Sequence, residues 1–201
     1  MLETVEQRFR TTYRVESAPI SEKEFANRDR AFAFAYPLMG PHGGKVFHRG
    51  MFRIFTVEEA EKWTGLMTDD YFDELRHQVY CFCITWQGCV IGVDTDNANI
   101  YLFDPATCEY FVVEGLSLHE YLNSALDDVL EESFYPGQFH EALHALNLDV
   151  VPVGQSVGYQ KSLLLGGEDE TYNLELIDSE VMWDVQIQIA ESINQIDAEE
   201  G

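Results

Sequence analysis

The chain has 201 residues, 46% of them hydrophobic and 13% aromatic, enough apolar surface for a packed core of one domain, or of one domain with a smaller appended unit. Its formal net charge is -24 at pH 7, and a surface this negative repels phosphate backbones and anionic lipid headgroups while attracting basic protein surfaces. No apolar run approaches the ~18 residues of a membrane helix. The N-terminal MLETVEQRFR carries charges where a secretory signal needs its apolar stretch, so a cytoplasmic protein is expected.

Residues 1–20 have weak periodicity and read as an edge strand or an arm. Ser21-Glu22-Lys23-Glu24 resembles a helix start, but Pro37 is expected to stop anything helical, and Gly40-Pro41-His42-Gly43-Gly44 reads as a loop. Lys45–His48 and Met51–Phe55 flank Arg49-Gly50 as a β-hairpin. Thr56-Val57-Glu58-Glu59 spells a capping box for a short helix ending near Trp63. Asp69–Arg76 reads as a further helical turn.

Val79–Trp86, VYCFCITW, is apolar and rich in strand formers, which predicts a central strand. Cys89–Val93, Ile100–Phe103 and Tyr110–Val113 continue it as a meander, with turns at Gln87-Gly88, Asp94 to Asn99 and Asp104-Pro105. About five to six short strands in succession predict an α/β (α+β) fold with a central antiparallel sheet and helices packed on it.

Ser117 caps a predicted helix over Leu118–Glu131, with Leu118, Tyr121, Leu122, Ala125 and Val129 on one stripe. Pro136-Gly137 is read as a break before a helix over Gln138–Leu146 that buries Phe139, Ala142, Leu143 and Leu146. A last amphipathic helix spans Ser179–Ile196, with Val181, Val185, Ile189 and Ile193 expected on its inner side and Met182 and Ile196 between them. Trp86, Phe103, Leu122 and Val129 are expected in the core. The four cysteines include no C-x-x-C pair. Cys81 and Cys83 fall on one face of a strand and Cys89 and Cys108 are scattered, the pattern of free thiols in a reducing compartment.

One motif has the form of a catalytic site. His140-Glu141-Ala142-Leu143-His144 is H-E-x-x-H on a predicted helix, the spacing with which zinc peptidases turn two imidazoles to one metal and use the glutamate as base. Glu180, followed by Asp184, is the candidate third ligand with its hydrogen-bonded partner. Helix geometry opposes this reading, because His140 and His144 lie roughly 110–150° from the centre of the apolar stripe at about 100° per residue. Exposed histidines without metal are the expectation. Asp94, Asp96 and Asn97 hint at a calcium loop, but Asn99 and Pro105 stand where such a loop needs Gly and Glu, so an Asx-rich turn is expected. No cofactor is expected.

The charge is unevenly placed. Residues 61–201 hold 28 Asp and Glu against three basic residues, Lys62, Arg76 and Lys161, whereas the first 60 hold eight acidic and nine basic. The densest patches are Asp127, Asp128, Glu131 and Glu132 at one helix end and Glu168, Asp169 and Glu170 after Gly166-Gly167; with Asp94 and Asp96 they are the candidate partner-binding residues.

Several segments resemble a known family. Gly43-Gly44, Gly50-Met51-Phe52-Arg53-Ile54-Phe55, Tyr71-Phe72, the Cys81-Phe82-Cys83 strand and Ile100-Tyr101-Leu102-Phe103-Asp104-Pro105 resemble the SUKH and GAD-like immunity superfamilies. Phe139-x-x-Ala142-Leu143-x-x-Leu146, Leu163-Leu164-Leu165-Gly166-Gly167, Asn173-Leu174-Glu175 and a helix containing Trp183 are similar to the C-terminal domain of type VI secretion immunity proteins. Residues 1–36 depart from the family pattern. The resemblance implies an N-terminal arm (1–36), a GAD/SUKH-like region (37–132) and a C-terminal immunity-type segment (133–197) packed on it. It further implies an antitoxin, not an enzyme, that binds a cognate effector encoded beside it and occludes or distorts the effector's active site. The charge points to a basic effector, a DNase above all, since nucleases must present cationic surfaces to phosphates. The expected partner is thus that toxin and neither nucleic acid nor membrane, with the chain a monomer or weak dimer. A small zinc metallopeptidase and an acidic DNA mimic acting on nucleic-acid-binding proteins are the alternatives.

Overall fold

The computed structural model describes residues 10–16, 30–115, 121 and 134–200. The predicted helix over Leu118–Glu131, with Leu122, Val129 and the acidic group Asp127, Asp128, Glu131 and Glu132, lies outside the described residues.

The strands are β1 (Thr11–Arg14), β2 (Lys45–Phe47), β3 (Phe52–Ile54), β4 (Val79–Thr85), β5 (Val90–Asp94), β6 (Ile100–Asp104) and β7 (Glu109–Val113). They form one sheet in sequence order, each antiparallel to the next. The fold class is as expected, with seven strands in place of five or six because Thr11–Arg14 adds an edge. Every residue of β4 is buried, which fits its unbroken apolar run: a strand covered on both faces has no need to alternate. Trp86 and Phe103 are buried as expected, at 2% and 0% exposure.

Among the described residues there are four α-helices: α1 (Arg30–His42), α2 (Val57–Gly65), α3 (Pro136–Ala145) and α4 (Ser179–Glu200). α1 overturns the expectation that Pro37 ends the helix and that the loop begins at Gly40; Gly43 and Gly44 do form the turn into β2. Pro37 and Pro41 lie inside it and are exposed, so the hydrogen bonds they forfeit open toward solvent. Ala35, Leu38, Met39 and His42, spaced i, i+3, i+4, i+7, are buried, and α1 packs on β3, β4 and β5. That packing outweighs the two prolines.

The capping box forms as read. Thr56 Oγ1 accepts from the Glu59 N–H at 3.2 Å and Glu59 Oε2 accepts from the Thr56 N–H at 2.8 Å. The other Glu59 oxygen pairs with the buried Arg53 guanidinium of β3, which also lies 5.3 Å over the Phe55 ring. α2 therefore enters the fold tied to β3. It does not end near Trp63 but continues through Gly65 into a π-helical turn, Leu66–Tyr71, and a 3₁₀ turn, Asp73–Leu75.

Pro136 opens α3 at its first turn, where the missing N–H costs nothing, instead of breaking the chain. A two-stranded antiparallel hairpin, β8 (Gln155–Tyr159) with β9 (Leu174–Asp178), precedes α4; QSVGY and LELID carry too little apolar alternation to announce it. On α4 the expected inner side is right in part: Met182 is buried and Ile189 and Ile193 are half-buried, but the two valines are not. Val181 and Val185 are 50% and 43% exposed, whereas Ser179, Met182, Trp183 and Gln186 are buried. The helix is turned by about one position because Trp183 outranks the valines in buried area. Its ring is fully buried, stacked on Tyr71 at 5.9 Å and edge-on to Phe72 at 6.3 Å.

All four thiols are free, Cys81 and Cys83 buried and Cys89 and Cys108 half-buried. The β4–β5 register shifts between Cys81 and Cys83. Burial pushes the Cys81 and Cys83 thiols up to about 12. Iodoacetamide at pH 8 should therefore modify these two on the order of a thousand times more slowly than a free cysteine, with urea removing the difference. Rapid labelling of both in the folded protein, followed by peptide mapping, would contradict the packing.

Candidate functional site

A cleft of about 380 Å³ opens where five segments meet: the β4–β5 turn, the β6–β7 turn, α3, the β8–β9 hairpin and α4. Two tryptophans set these segments against one another. Trp86 closes β4, its indole N–H donating to the Phe134 carbonyl at 2.7 Å while its own carbonyl accepts from the Val157 N–H at 2.7 Å. Trp183 of α4 donates its indole N–H to the Gly88 carbonyl in the β4–β5 turn at 2.9 Å. Gly88 has φ +82°, a backbone conformation that favours glycine, and a Cβ there would sit 2.1 Å from Cε at the flexible end of Met182, which would have to move aside.

The acidic loop over residues 161–173 is bridged at its base by Asn173. Asn173, 7% exposed, accepts from the Lys161 N–H at 2.9 Å and donates to the carbonyls of Lys161 at 3.0 Å and Glu168 at 2.9 Å. The Gly167 N–H closes the turn onto the Ser162 carbonyl at 2.9 Å. Asn173→Ala should free the loop, and limited proteolysis should then cut within 161–173 at least roughly tenfold faster, with little change in global stability. An unchanged cleavage rate would assign the loop's order elsewhere.

Four carboxylates line the cleft: Asp104 from the β6–β7 turn, Glu141 from α3, and Asp169 and Glu170 from the held loop. Among the described residues no Lys, Arg or His lines it. Tyr159 donates its hydroxyl to Asp169 Oδ1 at 2.6 Å. Burial, then Asp169, and more weakly Asp104, raise the Tyr159 phenol above its ordinary value. Asp104 accepts the Ala106 N–H at 2.8 Å, yet burial, with Glu109 adding to it, holds its carboxyl above the ordinary range. Burial and Asp104 push the half-buried Cys89 thiol up to about 12, so no nucleophilic thiolate stands here at neutral pH.

The structure thus brings Asp169 and Glu170 of the sequence candidates to the cleft. Glu168, on the same loop, takes the Tyr172 hydroxyl. Asp94 and Asp96 lie at the β5–β6 turn, the opposite end of the sheet, where Asp94 Oδ1 accepts from the N–H of Asp96 at 2.7 Å and of Asn97 at 3.2 Å, an Asx turn.

The H-E-x-x-H residues separate. His140 and His144 are exposed on α3, His140 Nδ1 lying 2.5 Å from the Pro136 carbonyl, while Glu141 faces the cleft. Glu180 pairs with Lys62 at 2.5 Å and Asp184 takes the Tyr71 hydroxyl, so the expected third ligand and its partner are engaged elsewhere. Among the described residues no three His, Cys, Asp or Glu side chains are grouped to hold a metal. Sequence reasoning missed Asp104, Tyr159, Asn173 and Gln186. Asp104-Pro105 reads as a turn, and nothing along the chain links it to residue 169.

What this site and fold define is an α+β protein with a seven-stranded antiparallel meander and an acidic cleft at one sheet end. No family model matches the chain, and no curated protein matches it. Among solved structures it is similar to Atu4351 from Agrobacterium tumefaciens, with a TM-score of 0.66 and 16% identity over 94% of this chain and 89% of that one. At that identity the likeness speaks for the fold. Among the described residues no helix is long and apolar enough to cross a membrane.

Proposed function

We propose that this protein is an immunity protein of the type VI secretion kind, which binds a cognate basic effector toxin, a DNase, and blocks its active site. The observation that carries this reading is the uncompensated charge of residues 61–201, 28 acidic side chains against three basic ones. Each of those three is engaged locally: Lys62 with Glu180, Arg76 with Asp69 at 2.8 Å, and Lys161 Nζ with the Gly166 carbonyl at 3.2 Å. The remaining carboxylates have no cation of this region to meet, and a nuclease's phosphate-binding surface supplies what they lack. The resemblance of residues 40–196 to SUKH, GAD-like and type VI immunity segments supports the same reading. So does the meeting of its two parts, since Tyr71-Phe72 from one and Trp183 from the other pack together.

The test is inhibition. The product of the reading frame beside this gene, purified and assayed on plasmid DNA, should lose its activity at one equivalent of this protein and form a stable complex by gel filtration. A neighbour that is no nuclease, or a nuclease that stays active at tenfold excess, would overturn the reading. Binding to several unrelated basic proteins at middling affinity would instead favour the DNA-mimic alternative.

A further inference from the structure

We propose that the outward side of α4 is a docking surface for one basic amphipathic helix of the partner toxin. This deepens, and rests on, the reading of a basic toxin partner. α4 has two apolar sides, and the fold uses one. Met182 and Trp183 are buried and Ile187 packs against the core, while the helix lies on β8, β9 and the 3₁₀ turn Leu163–Leu165. Val181, Val185 and Ile196 belong to the other side and are 50%, 43% and 56% exposed; Ile189 and Ile193, in line with them, are half-buried. Positions 181, 185, 189, 193 and 196 recur at the helical repeat, so they form one stripe about 22 Å long. A single exposed valine needs no explanation, but a stripe of β-branched side chains along one helix is the pattern of a helix covered on both sides.

Two properties of α4 select the occupant. Its backbone N–H and C=O groups are spent within the helix, so an extended segment laid on the stripe would find no partners for its own polar backbone. A helix brings its backbone already satisfied and sets a groove over the four-residue ridge. The second property is charge. α4 carries Glu180, Asp184, Glu191, Asp197, Glu199 and Glu200 and no Lys, Arg or His. At about 100° per residue, Asp184 and Glu191 border the stripe on the Val181 side, and both are exposed. Met182 and Gln186 border it on the Ile193 side, and these two line the cleft that also holds Glu141, Asp169 and Glu170. An apolar centre with acidic margins is complementary to a helix whose apolar stripe runs between rows of Lys or Arg. A second copy of this chain is not: stripe on stripe would join two helices of six carboxylates each, with no cation on either.

The full-length protein is titrated with a Leu/Lys peptide of about 18 residues, long enough to match the stripe, with leucine at the i, i+3, i+4 and i+7 positions. A scrambled peptide of the same composition and a Leu/Glu peptide of the same pattern are the controls. Methyl NMR should show saturable shifts centred on Val181, Val185, Ile189, Ile193 and Ile196, with the scrambled peptide at least roughly fivefold weaker and the Leu/Glu peptide silent. Val181→Gln, Val185→Gln and Ile196→Gln replace exposed side chains by a good helix former, so the thermal midpoint should hold. Together they should weaken the patterned peptide at least roughly tenfold and speed dissociation of the neighbouring gene's product by a similar factor, while its association rate and salt dependence stay as in the wild type. That split separates an apolar dock from the acidic surface around it. Equal binding of patterned and scrambled peptides, shifts spread over the acidic surface, a triple variant that releases the neighbour's product at the wild-type rate, or a wild-type dimer that the triple variant dissolves would overturn the proposal. The peptide titration uses the wild type alone, so it decides even if the triple variant fails to fold. A stripe that binds the patterned peptide in a protein that inhibits no nuclease would sink the function alone. A nuclease inhibited and released alike by wild type and triple variant would sink the dock alone.

Discussion

Trp183→Ala should lower the stability of the protein by about 4 kcal/mol, while Val185→Ala, two residues along the same helix, should cost less than about 0.5 kcal/mol. The indole is fully buried, stacks on Tyr71, meets Phe72 edge-on and donates to the Gly88 carbonyl. Removing it leaves a cavity and strips that carbonyl of its donor; the first effect is worth about 3–5 kcal/mol and the second about 1 kcal/mol. Val185 is 43% exposed and loses little. Urea unfolding with an unchanged slope measures both. The reverse ranking would restore the helix register that apolar periodicity alone assigns to α4.

Salt should stabilise this protein strongly. At a net charge of -24 the folded chain repels itself, and the repulsion is long-ranged enough to be screened when the Debye length falls from about 20 Å to about 4 Å. Raising sodium chloride from about 0.02 M to 0.5 M should lift the thermal midpoint by on the order of 5 °C or more. Screening also weakens the exposed pairs Lys62–Glu180 and Arg76–Asp69, but such pairs contribute at most about 1 kcal/mol each. The partly buried Arg53–Glu59 pair is screened less. A midpoint that falls with salt would mean that these few attractions outweigh the many repulsions.

What was legible in the sequence follows from where its causes lie. The β4 run, the meander after it and the Thr56–Glu59 capping box are set by neighbours in the chain, and each is where local pattern places it. α1 was not legible, because Pro37 and Pro41 are local signals against a helix and the packing that overrides them comes from β3, β4 and β5. α4 was legible as a helix but not in its rotation, since Val181 and Val185 compete with Met182 and Trp183 for the same pattern. The site divides in the same way. The Glu168–Glu170 loop shows itself as a charge run, whereas Asp104 looks like a turn residue and Glu141 like the middle of a zinc motif until the fold sets both in one cleft.

The central claim, that this acidic surface exists to capture a basic partner, is tested most directly by the rate at which it does so. Association with the neighbouring gene's product should be followed by stopped-flow at about 0.02 M and about 0.3 M salt, for the wild type and for two charge-reversed variants. One variant carries Glu168→Lys and Glu170→Lys, the other Asp127→Lys, Asp128→Lys, Glu131→Lys and Glu132→Lys. The wild-type rate should fall at least tenfold between the two salt concentrations, and at least one variant should associate roughly tenfold more slowly at low salt with a flattened dependence. A wild-type rate indifferent to salt, with both variants matching it, would contradict the claim and leave the charge as solvation alone.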